Sequence, residues 1–428
     1  MKPHLNAILF IVIWRKIIMN NTRNAERKAK ELTFLKLVIE GHPLFENQVS
    51  FSVVNDSRVS WERAGQLTNL FGSVWVNNLI TIIGKNATGK TTIMKTLIGT
   101  LTFLLYSKSI NQTQLDDILI GTSPIKLTTY FWGNDMKVYK DALTLKLNAV
   151  DHSWHVSEEK IYEKQVITRT PKKELLNFEG IDPCLDRENL NNELAAYVLA
   201  PDDSIFRTIL AKKNYQVQQI MDTLIFTNVN ALFYTNGNVP AEILNFLDPT
   251  IEYLRVDNKQ VEGDKKQMFY RLKFKNHPEE FTETNFATIE HYLSSGTAKG
   301  VTLYGNVLRA LQTGGIIFID ELENHFNHAI VRSFIEYFAD PRINTNRATL
   351  IFSTHYSELL DDLERGDEIY LTKREHKIQL QRYSKSGVRK DLSKSDVFDS
   401  NYLGGTAPKY QAYIKLRNAT KGVVNNDN

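Results

Sequence analysis

One short segment of the chain combines glycines, lysines and hydroxyl side chains at a spacing that suits phosphate binding. Residues Gly84–Thr91 read Gly-Lys-Asn-Ala-Thr-Gly-Lys-Thr, which matches the pattern of a P-loop at every position. In such a loop the glycines permit a tight turn whose amides face a polyphosphate, Lys90 reaches the β- and γ-phosphates, and Thr91 offers its hydroxyl to Mg²⁺. The residues predicted to hold the nucleotide are Gly84, Asn86, Gly89, Lys90, Thr91 and Thr92.

Two adjacent acids follow an apolar segment further along the chain. Ile316–Ile319 is entirely apolar, as is typical of a parallel strand buried on both faces, and Asp320 and Glu321 come directly after it. The carboxyl ends of parallel strands meet at one edge of a sheet, so Asp320 is predicted to lie near the P-loop and to hold Mg²⁺ together with Thr91. Glu321 would then polarise the attacking water. A solvated turn or a helix cap is the alternative for such a pair.

Two further segments contain residues that could contribute to a phosphate site. Tyr292–Thr297 reads Tyr-Leu-Ser-Ser-Gly-Thr before a helical pattern, which places Ser294 and the amide of Gly296 at a helix N-terminus, where anions bind. Taken alone this is weak, because Ser-Ser-Gly caps many helices. His355 ends another apolar strand, and a lone histidine is more often structural.

Strands that alternate with helices have to position these residues. Apolar spacing after Gly89 predicts a helix directly behind the loop, and Leu32–Val54 predicts two strands around a turn at Gly41. The predicted fold class is therefore α/β with parallel strands. Apolar runs predict the further strands Leu79–Ile83, Ile316–Ile319, Leu350–Ser353 and Glu368–Thr372.

The pattern becomes mixed between residues 151 and 290. A charged helix is predicted over Leu210–Phe226 and a strand pair around Met268–Phe274, and we interpret this region as an inserted, mostly helical lobe. The predicted organisation is an N-terminal extension (1–30), the first half of the core with the P-loop (31–150), the inserted lobe (151–290), the second half of the core (291–372) and a basic C-terminal segment (373–428).

Composition excludes several classes of protein. The chain has 428 residues, of which 42% are hydrophobic and 24% charged, so it is neither disordered nor fibrous. The net charge of +3 does not favour a nucleic-acid coat protein, and any contact with nucleic acid would be local, for example through the basic C-terminal segment. Cys184 is the single cysteine and cannot form an internal disulfide, which favours a reducing cytoplasm.

The N-terminus carries a short apolar run, Leu5–Trp14, that ends at Arg15 and Lys16. It is about half as long as a membrane-spanning helix, so no membrane span is predicted. The run also lacks the small residues of a signal-peptide cleavage site. We interpret it as an incorrectly assigned start, with Met19 as the alternative first residue, or as a short amphipathic contact.

In chain order, Gly84–Thr91, Leu293–Thr297, Ile316–Glu321 and Ser353–His355 resemble the Walker A, signature, Walker B and switch-histidine motifs of ABC-type ATPase heads. Within that superfamily the chain resembles the stand-alone bacterial ATPases of the AAA-15/AAA-21 group. That group includes abortive-infection, Septu-type and PARIS-type phage-defence ATPases and is close to the OLD nucleases. The narrower resemblance rests on the Ser-Ser-Gly-Thr form of the signature and on the segments Glu323–His325 and Tyr402–Pro408.

The resemblance implies a P-loop NTPase head that binds and hydrolyses ATP with Mg²⁺. In such heads the nucleotide lies between two subunits, so Ser294 and Gly296 of one chain would meet the γ-phosphate held by Lys90 of another. A homodimer is then the smallest active unit, and higher homo-oligomers remain open. The resemblance makes Glu321 the base or water-positioning residue and His355 the sensor of the γ-phosphate, and these two with Lys90 are the predicted catalytic residues.

By the same resemblance, the chain is predicted to be a sensor or regulator in bacterial phage defence that controls a separate effector, a nuclease or a toxin. Too few residues follow His355 for a complete Toprim nuclease. One alternative is a DNA-repair or chromosome-maintenance clamp of the SMC or RecF type, although the low net charge and the lack of a long heptad repeat do not favour it. Another is a non-hydrolysing, ATP-dependent scaffold that sequesters a toxin.

Overall fold

A computed structural model describes the chain over residues 29–59, 66–190, 199–224, 237–261, 265–324, 326, 328–389, 391–404 and 410–425. The predicted N-terminal extension with Met19 lies outside the described residues, apart from its last two positions. His325 and the second half of Tyr402–Pro408 lie outside them as well.

The described strands are, in chain order, β1 (Lys30–Glu40), β2 (Gln48–Ser52), β3 (Leu67–Phe71), β4 (Val74–Asn77), β5 (Leu79–Ile83), β6 (Ile125–Gly133), β7 (Lys137–Leu147), β8 (Trp154–Gln165), β9 (Leu185–Asp186), β10 (Tyr215–Val217), β11 (Ile220–Asp222), β12 (Ile251–Val261), β13 (Lys265–Phe274), β14 (Glu280–Glu283), β15 (Ile316–Ile319), β16 (Thr349–Thr354), β17 (Ile369–Arg374) and β18 (Ile378–Arg382).

The described α-helices are α1 (Lys90–Tyr106), α2 (Lys172–Leu175), α3 (Phe206–Lys213), α4 (Ala241–Leu247), α5 (Phe286–Glu290), α6 (Ser295–Thr313), α7 (His328–Ala339), α8 (Lys394–Asp399) and α9 (Tyr410–Asn425). Short 3₁₀ turns lie at Ile110–Gln112, Arg187–Asn189, Ser357–Leu360, Gly366–Glu368 and Tyr383–Lys385. Across the part of the chain that the structure describes, no helix is long and apolar enough to cross a membrane.

One sheet positions the candidate site, and we call it the head sheet. Its strand order is β11-β15-β16-β5-β17-β18, and every neighbouring pair is parallel except β17–β18. Every residue of β5, β15 and β16 is buried, which explains why these strands read as uninterrupted apolar runs. The predicted α/β class and the strands Leu79–Ile83, Ile316–Ile319 and Leu350–Ser353 are confirmed, and the predicted Glu368–Thr372 is shifted slightly to Ile369–Arg374.

A second, mostly antiparallel sheet packs with α1 in one continuous hydrophobic core. Its order is β10-β1-β6-β7-β8-β9, with β2 also paired to β1. The predicted pair of strands within Leu32–Val54 is confirmed as β1 and β2, and Gly41 takes a φ of 76° at the turn between them. Such a left-handed backbone is readily adopted by glycine.

Residues 151–290 are not mostly helical within their described parts, and that prediction is wrong. β8 and β9 extend the antiparallel sheet, and β12–β14 form a small sheet of their own. β10 pairs with β1 at the edge of the antiparallel sheet, and β11 pairs with β15 at the edge of the head sheet. The predicted helix Leu210–Phe226 ends early, since α3 stops at Lys213 and Asn214 takes a left-handed φ of 55°. Asn tolerates that conformation and commonly ends helices. The strand pair around Met268–Phe274 is confirmed as β12 and β13.

Two carboxyl groups are buried side by side in the antiparallel sheet. Asp141 and Glu159 are both 0% exposed. Glu159 accepts hydrogen bonds from the Ser204 hydroxyl and from the Ile205 amide at 2.9 Å, whereas Asp141 has no hydrogen-bond partner among the described residues other than the neighbouring Glu159. Burial, together with the neighbouring Glu159, raises the pKa of Asp141 well above its ordinary value of 3.8.

We expect Asp141→Asn to stabilise the protein increasingly as pH rises. An acid whose pKa is raised by folding contributes stability below its unfolded pKa, and this contribution is lost as pH rises towards the folded pKa. Asparagine has nearly the same shape as aspartate and is neutral without taking up a proton. The melting temperature of the Asp141→Asn protein should therefore exceed that of the wild type by about 2–4 °C at the alkaline end of a pH series. Thermal melts from pH 5 to 9 measure the difference. The exposed Glu158→Gln on the neighbouring strand β8 is the control, and equal pH profiles for Asp141→Asn and the wild type would contradict the prediction.

Candidate functional site

The loop between β5 and α1 contains two residues with a left-handed backbone conformation. Ala87 has a φ of 62° and Gly89 a φ of 96°, and the Thr88 hydroxyl donates to the carbonyl of Lys85 at 2.7 Å. No side chain caps α1 within the described structure, and its first turn contains no acidic residue. The amides and the positive end of the dipole therefore remain available to an anion.

Strand β17 and its hairpin partner β18 pack closely against both glycines of the loop. A Cβ atom on Gly84 would lie 2.0 Å from the Thr372 hydroxyl oxygen, and one on Gly89 would lie 2.3 Å from Cδ1 of Ile378. The hydroxyls of Thr372 and Thr88 are 2.7 Å apart. Glycine is therefore needed at both positions for lack of space, and at Gly89 for its backbone conformation as well.

Lys90 lies at the centre of the cluster and is 5% exposed. Its ammonium group donates to the carbonyls of Gly84 at 2.9 Å and Lys85 at 3.1 Å, and it lies 3.0 Å from Nδ1 of His355. Burial lowers the pKa of Lys90, while Asp320, Glu321 and Glu323 oppose that shift. The ammonium group thus lies in a largely desolvated position among negative groups, where its interaction with a phosphate is strong.

Asp320 is bound at both carboxylate oxygens. Oδ2 accepts the Thr91 hydroxyl at 2.6 Å, and Oδ1 accepts the hydroxyl of Ser353. Carboxylate and hydroxyl oxygens suit Mg²⁺, which protein sites hold through one or two carboxylates plus substrate phosphates. The described residues contain no group of three or more His, Cys, Asp or Glu side chains that would hold a metal by themselves. Thr91 and Asp320 therefore fit a magnesium ion that is shared with a nucleotide.

Glu321 follows Asp320 and has an unusual backbone, with a φ of 47°. Its Oε1 lies 3.1 Å from Nε2 of His355, and its Oε2 accepts a hydrogen bond from the Asn324 amide group. An ionised carboxylate only accepts hydrogen bonds, so Nε2 of His355 is the donor to Glu321. Nδ1 lies between the Lys90 ammonium group at 3.0 Å and the carbonyl oxygen of Gly84 at 3.1 Å. The hydrogen bond from His355 lowers the pKa of Glu321, so this carboxylate is ionised at neutral pH.

The structure brings most of the predicted site residues together in one chain. Gly84, Gly89, Lys90, Thr91, Asp320, Glu321 and His355 lie around the loop, with Asn86 exposed at its tip and Thr92 half-buried in α1. Ser294 and Gly296 do not join them. Ser294 is the exposed N-cap of α6, and its hydroxyl accepts the Thr297 amide at 3.0 Å.

The position of Ser294 follows from the length of α6. This helix has 19 residues and turns into the four-residue β15 through Gly314, whose φ is 71°. It is about 28 Å long, against about 13 Å for the strand. Because α6 packs in one core with the head sheet and leads into the first residue of β15, the difference in length predicts that its N-terminus extends to the carboxyl edge of the sheet, where the P-loop lies.

Sequence reasoning missed four residues that hold the site in place. Ser353 and Thr372 contact Asp320 and Thr88, as described above. Glu323 is 5% exposed and accepts the backbone amide of His355, and Asn324 binds Glu321. Ser353, Glu323 and Asn324 lie inside motifs that the sequence had identified, but only the three-dimensional contacts reveal what each side chain does.

Comparison with solved structures finds similar chains at low identity. The SMC head bound to the C-winged helix domain of ScpA is 12% identical over 82% of this chain and 97% of that chain, with a TM-score of 0.41. An SMC head domain from Thermotoga maritima is 11% identical over 82% and 98%, with a TM-score of 0.34. The recombination mediator RecF bound to ATP is 9% identical over 84% and 100%, with a TM-score of 0.38. No functionally curated protein matches.

Comparison with protein families gives a match over more than half of the chain. Residues 79–361 match the AAA_21 model, described as "AAA domain, putative AbiEii toxin, Type IV TA system". The matched range begins with β5 and contains the P-loop, the Ser294 turn, the two acids and His355. The chain therefore belongs to the AAA_21 family, and its fold is that of an ABC-type ATPase head.

Proposed function

We propose that this protein binds and hydrolyses ATP as a homodimer or higher homo-oligomer, and that it acts as a sensor or regulator of a bacterial anti-phage system by controlling a separate effector. One observation carries the proposal. Hydrogen bonds join Thr91 to Asp320, Lys90 to His355 and His355 to Glu321 around a single phosphate-binding loop. These are the groups that phosphoryl transfer to water requires.

Each of these side chains has a chemical task with ATP as the substrate. The loop amides and Lys90 bind the phosphates, which neutralises charge that develops on them in the transition state. Mg²⁺, when bound by Thr91 and Asp320, supplies further neutralisation of the β- and γ-phosphates. The ionised Glu321 carboxylate orients the attacking water and accepts its proton. His355 links Lys90 to Glu321 and so relates phosphate binding to the position of the acid.

The exposed Ser294 turn supports a composite site between two subunits. It lies at a helix N-terminus, and its hydroxyl bonds only within its own turn among the described residues. The length of α6 predicts that this turn reaches the same sheet edge as the P-loop. A γ-phosphate held by Lys90 of one protomer would accept hydrogen bonds from Ser294 and Gly296 of its partner. The bound anion then stabilises a dimer that two positive helix ends would not form alone.

The regulatory role draws on the family description, which names a toxin and a type IV toxin–antitoxin system. On the basis of this description, the proposed partner is a nuclease or toxin in the cytoplasm. Its activity would change when the dimer binds or hydrolyses ATP. A DNA clamp would instead show ATP-dependent binding to duplex DNA that weakens steeply with salt. A non-hydrolysing scaffold would retain ATP without releasing phosphate.

Replacing Lys90 by alanine should weaken ATP binding by about 100-fold, because a buried charge-assisted contact with the phosphates is lost. Binding of a fluorescent ATP analogue measures the effect, and a thermal melt reports folding. Lys95→Ala is the matched control, since Lys95 lies on the same helix and pairs with Asp117 at 2.6 Å. Wild-type affinity in a folded Lys90→Ala protein would show that the loop does not bind ATP.

Replacing Glu321 by glutamine should lower kcat for ATP by about 100-fold or more while affinity is retained, because the amide has the same shape but is a poor proton acceptor. The ATP-bound dimer should accumulate, as measured by phosphate release and analytical ultracentrifugation. The exposed Glu358→Gln in the turn after His355 is the control. Full turnover by Glu321→Gln would remove this residue from the chemical step.

A mixing experiment tests whether the site is shared between chains. Lys90→Ala and Ser294→Arg should each be inactive alone, the second because a long side chain would occupy the position of the γ-phosphate in the one site that it faces. A mixed dimer contains one site built from the intact halves of both chains, so an equimolar mixture should recover about a quarter of wild-type activity if sites act independently. A mixture that stays as inactive as its components would contradict the shared site.

A further inference from the structure

We propose that Ser353 is a positioning residue that sets both acids of the site, the metal-holding Asp320 and the water-orienting Glu321, through one hydroxyl group. The inference deepens the proposed ATP hydrolysis and rests on it. Ser353 lies near the end of β16, directly before Thr354 and His355, and is 0% exposed. Ser353 lies in the segment Ser353–His355 that resembles the switch-histidine motif, but the sequence assigns no role to its side chain.

The hydroxyl of Ser353 makes two hydrogen bonds in opposite directions. It donates to Oδ1 of Asp320 and accepts the backbone amide of Glu321 at 2.8 Å. A hydroxyl has one proton to donate and two lone pairs, so both bonds form at once. The same oxygen atom therefore fixes the side chain of one acid and the main chain of the next.

The first of these bonds determines the orientation of the Asp320 carboxylate. Because Ser353 holds Oδ1, the other oxygen, Oδ2, is directed towards the hydroxyl of Thr91 at 2.6 Å. These two oxygens are the protein ligands that fit Mg²⁺ here. In metal sites generally, replacing a group that hydrogen-bonds to a metal ligand lowers the metal affinity by about 10–100-fold.

The second bond supports a disfavoured backbone. Glu321 has a φ of 47°, a left-handed conformation in which the Cβ atom crowds the main chain. The amide of Glu321 is bound by Ser353, and the amide of the next residue, Leu322, donates to the carbonyl of Ser353 at 3.1 Å. This turn places the Glu321 carboxylate beside His355, with Oε1 3.1 Å from Nε2.

Removing the hydroxyl should leave the fold intact. Ser353 keeps its strand pairing, with Ile82 opposite in β5, and its carbonyl still binds Leu322. The loss is restricted to the two bonds that orient the acids. A buried hydroxyl elsewhere in the same sheet provides the control, because Thr81 in β5 is 0% exposed and its Oγ1 has no hydrogen-bond partner within the described structure.

The experiment compares Ser353→Ala, Ser353→Thr and Thr81→Val with the wild type. Ser353→Ala should lower kcat for ATP by about 10-fold or more with little change in KM, and should raise the half-saturating Mg²⁺ concentration by about 10-fold. Ser353→Thr retains the hydroxyl, so its kcat and its half-saturating Mg²⁺ concentration should be close to those of the wild type. Thr81→Val should match the wild type in both quantities. Ser353→Cys, with a weaker donor of similar size, should fall between alanine and threonine.

A second readout does not depend on turnover. Mn²⁺ serves as a spectroscopic substitute for Mg²⁺, and its affinity is measured by electron paramagnetic resonance with a non-hydrolysable ATP analogue present. Ser353→Ala should bind Mn²⁺ about 10-fold more weakly than the wild type. Equal Mn²⁺ affinity and equal kcat in a folded Ser353→Ala protein would overturn the inference, as would a fall in melting temperature without either change. A wild type that binds the analogue but releases no phosphate would contradict the proposed hydrolysis, and the Mn²⁺ comparison would still decide the role of Ser353.

Discussion

The parallel register of three buried strands is the constraint on which the site depends. Ile83 of β5 pairs with Thr354 of β16, and Ile319 of β15 pairs with Phe352. Each strand therefore ends at nearly the same level, and the next residue of each enters the site. Parallel hydrogen bonding holds this alignment within a fraction of a residue, and a slip of one residue would turn every side chain to the opposite face. The strand register thus fixes the relative positions of site residues that are far apart in sequence.

Charge explains why such a site calls for both a metal and a polyphosphate. One buried ammonium group, Lys90, faces the carboxylates of Asp320, Glu321 and Glu323. A nucleotide brings several more negative charges, and the loop amides and the helix dipole supply only partial positive charge. Without a cation the phosphates would be repelled by the same acids that act on them. The proposed Mg²⁺ ion beside Asp320 would resolve this conflict, because its charge would offset that of the acids and of the phosphates together.

The elements that carry the site could be predicted because their signals are local. Uninterrupted apolar runs identify β5, β15 and β16, and the residues that follow each run could be assigned to one edge. The described parts of 151–290 were predicted poorly, because β10 and β11 are three residues each and form through distant pairing with β1 and β15. The roles of Ser353 and Thr372 could not be predicted either, since the sequence does not show which partner a buried hydroxyl in a strand contacts.

The separation of Ser294 from Lys90 is itself a consequence of the fold. α6 has to cover the head sheet along its length, since Val301 and Val307 are fully buried against it. A helix that long overshoots a four-residue strand, and its N-terminus is carried beyond the sheet edge into solvent. The first turn of α6 contains no acidic residue and is capped by the neutral Ser294 hydroxyl, so the positive end of the helix dipole still favours an anion. One chain therefore carries the P-loop and the exposed Ser294 turn as two separate groups, and in the proposed dimer a second copy turned to face the first would bring each group opposite its complement.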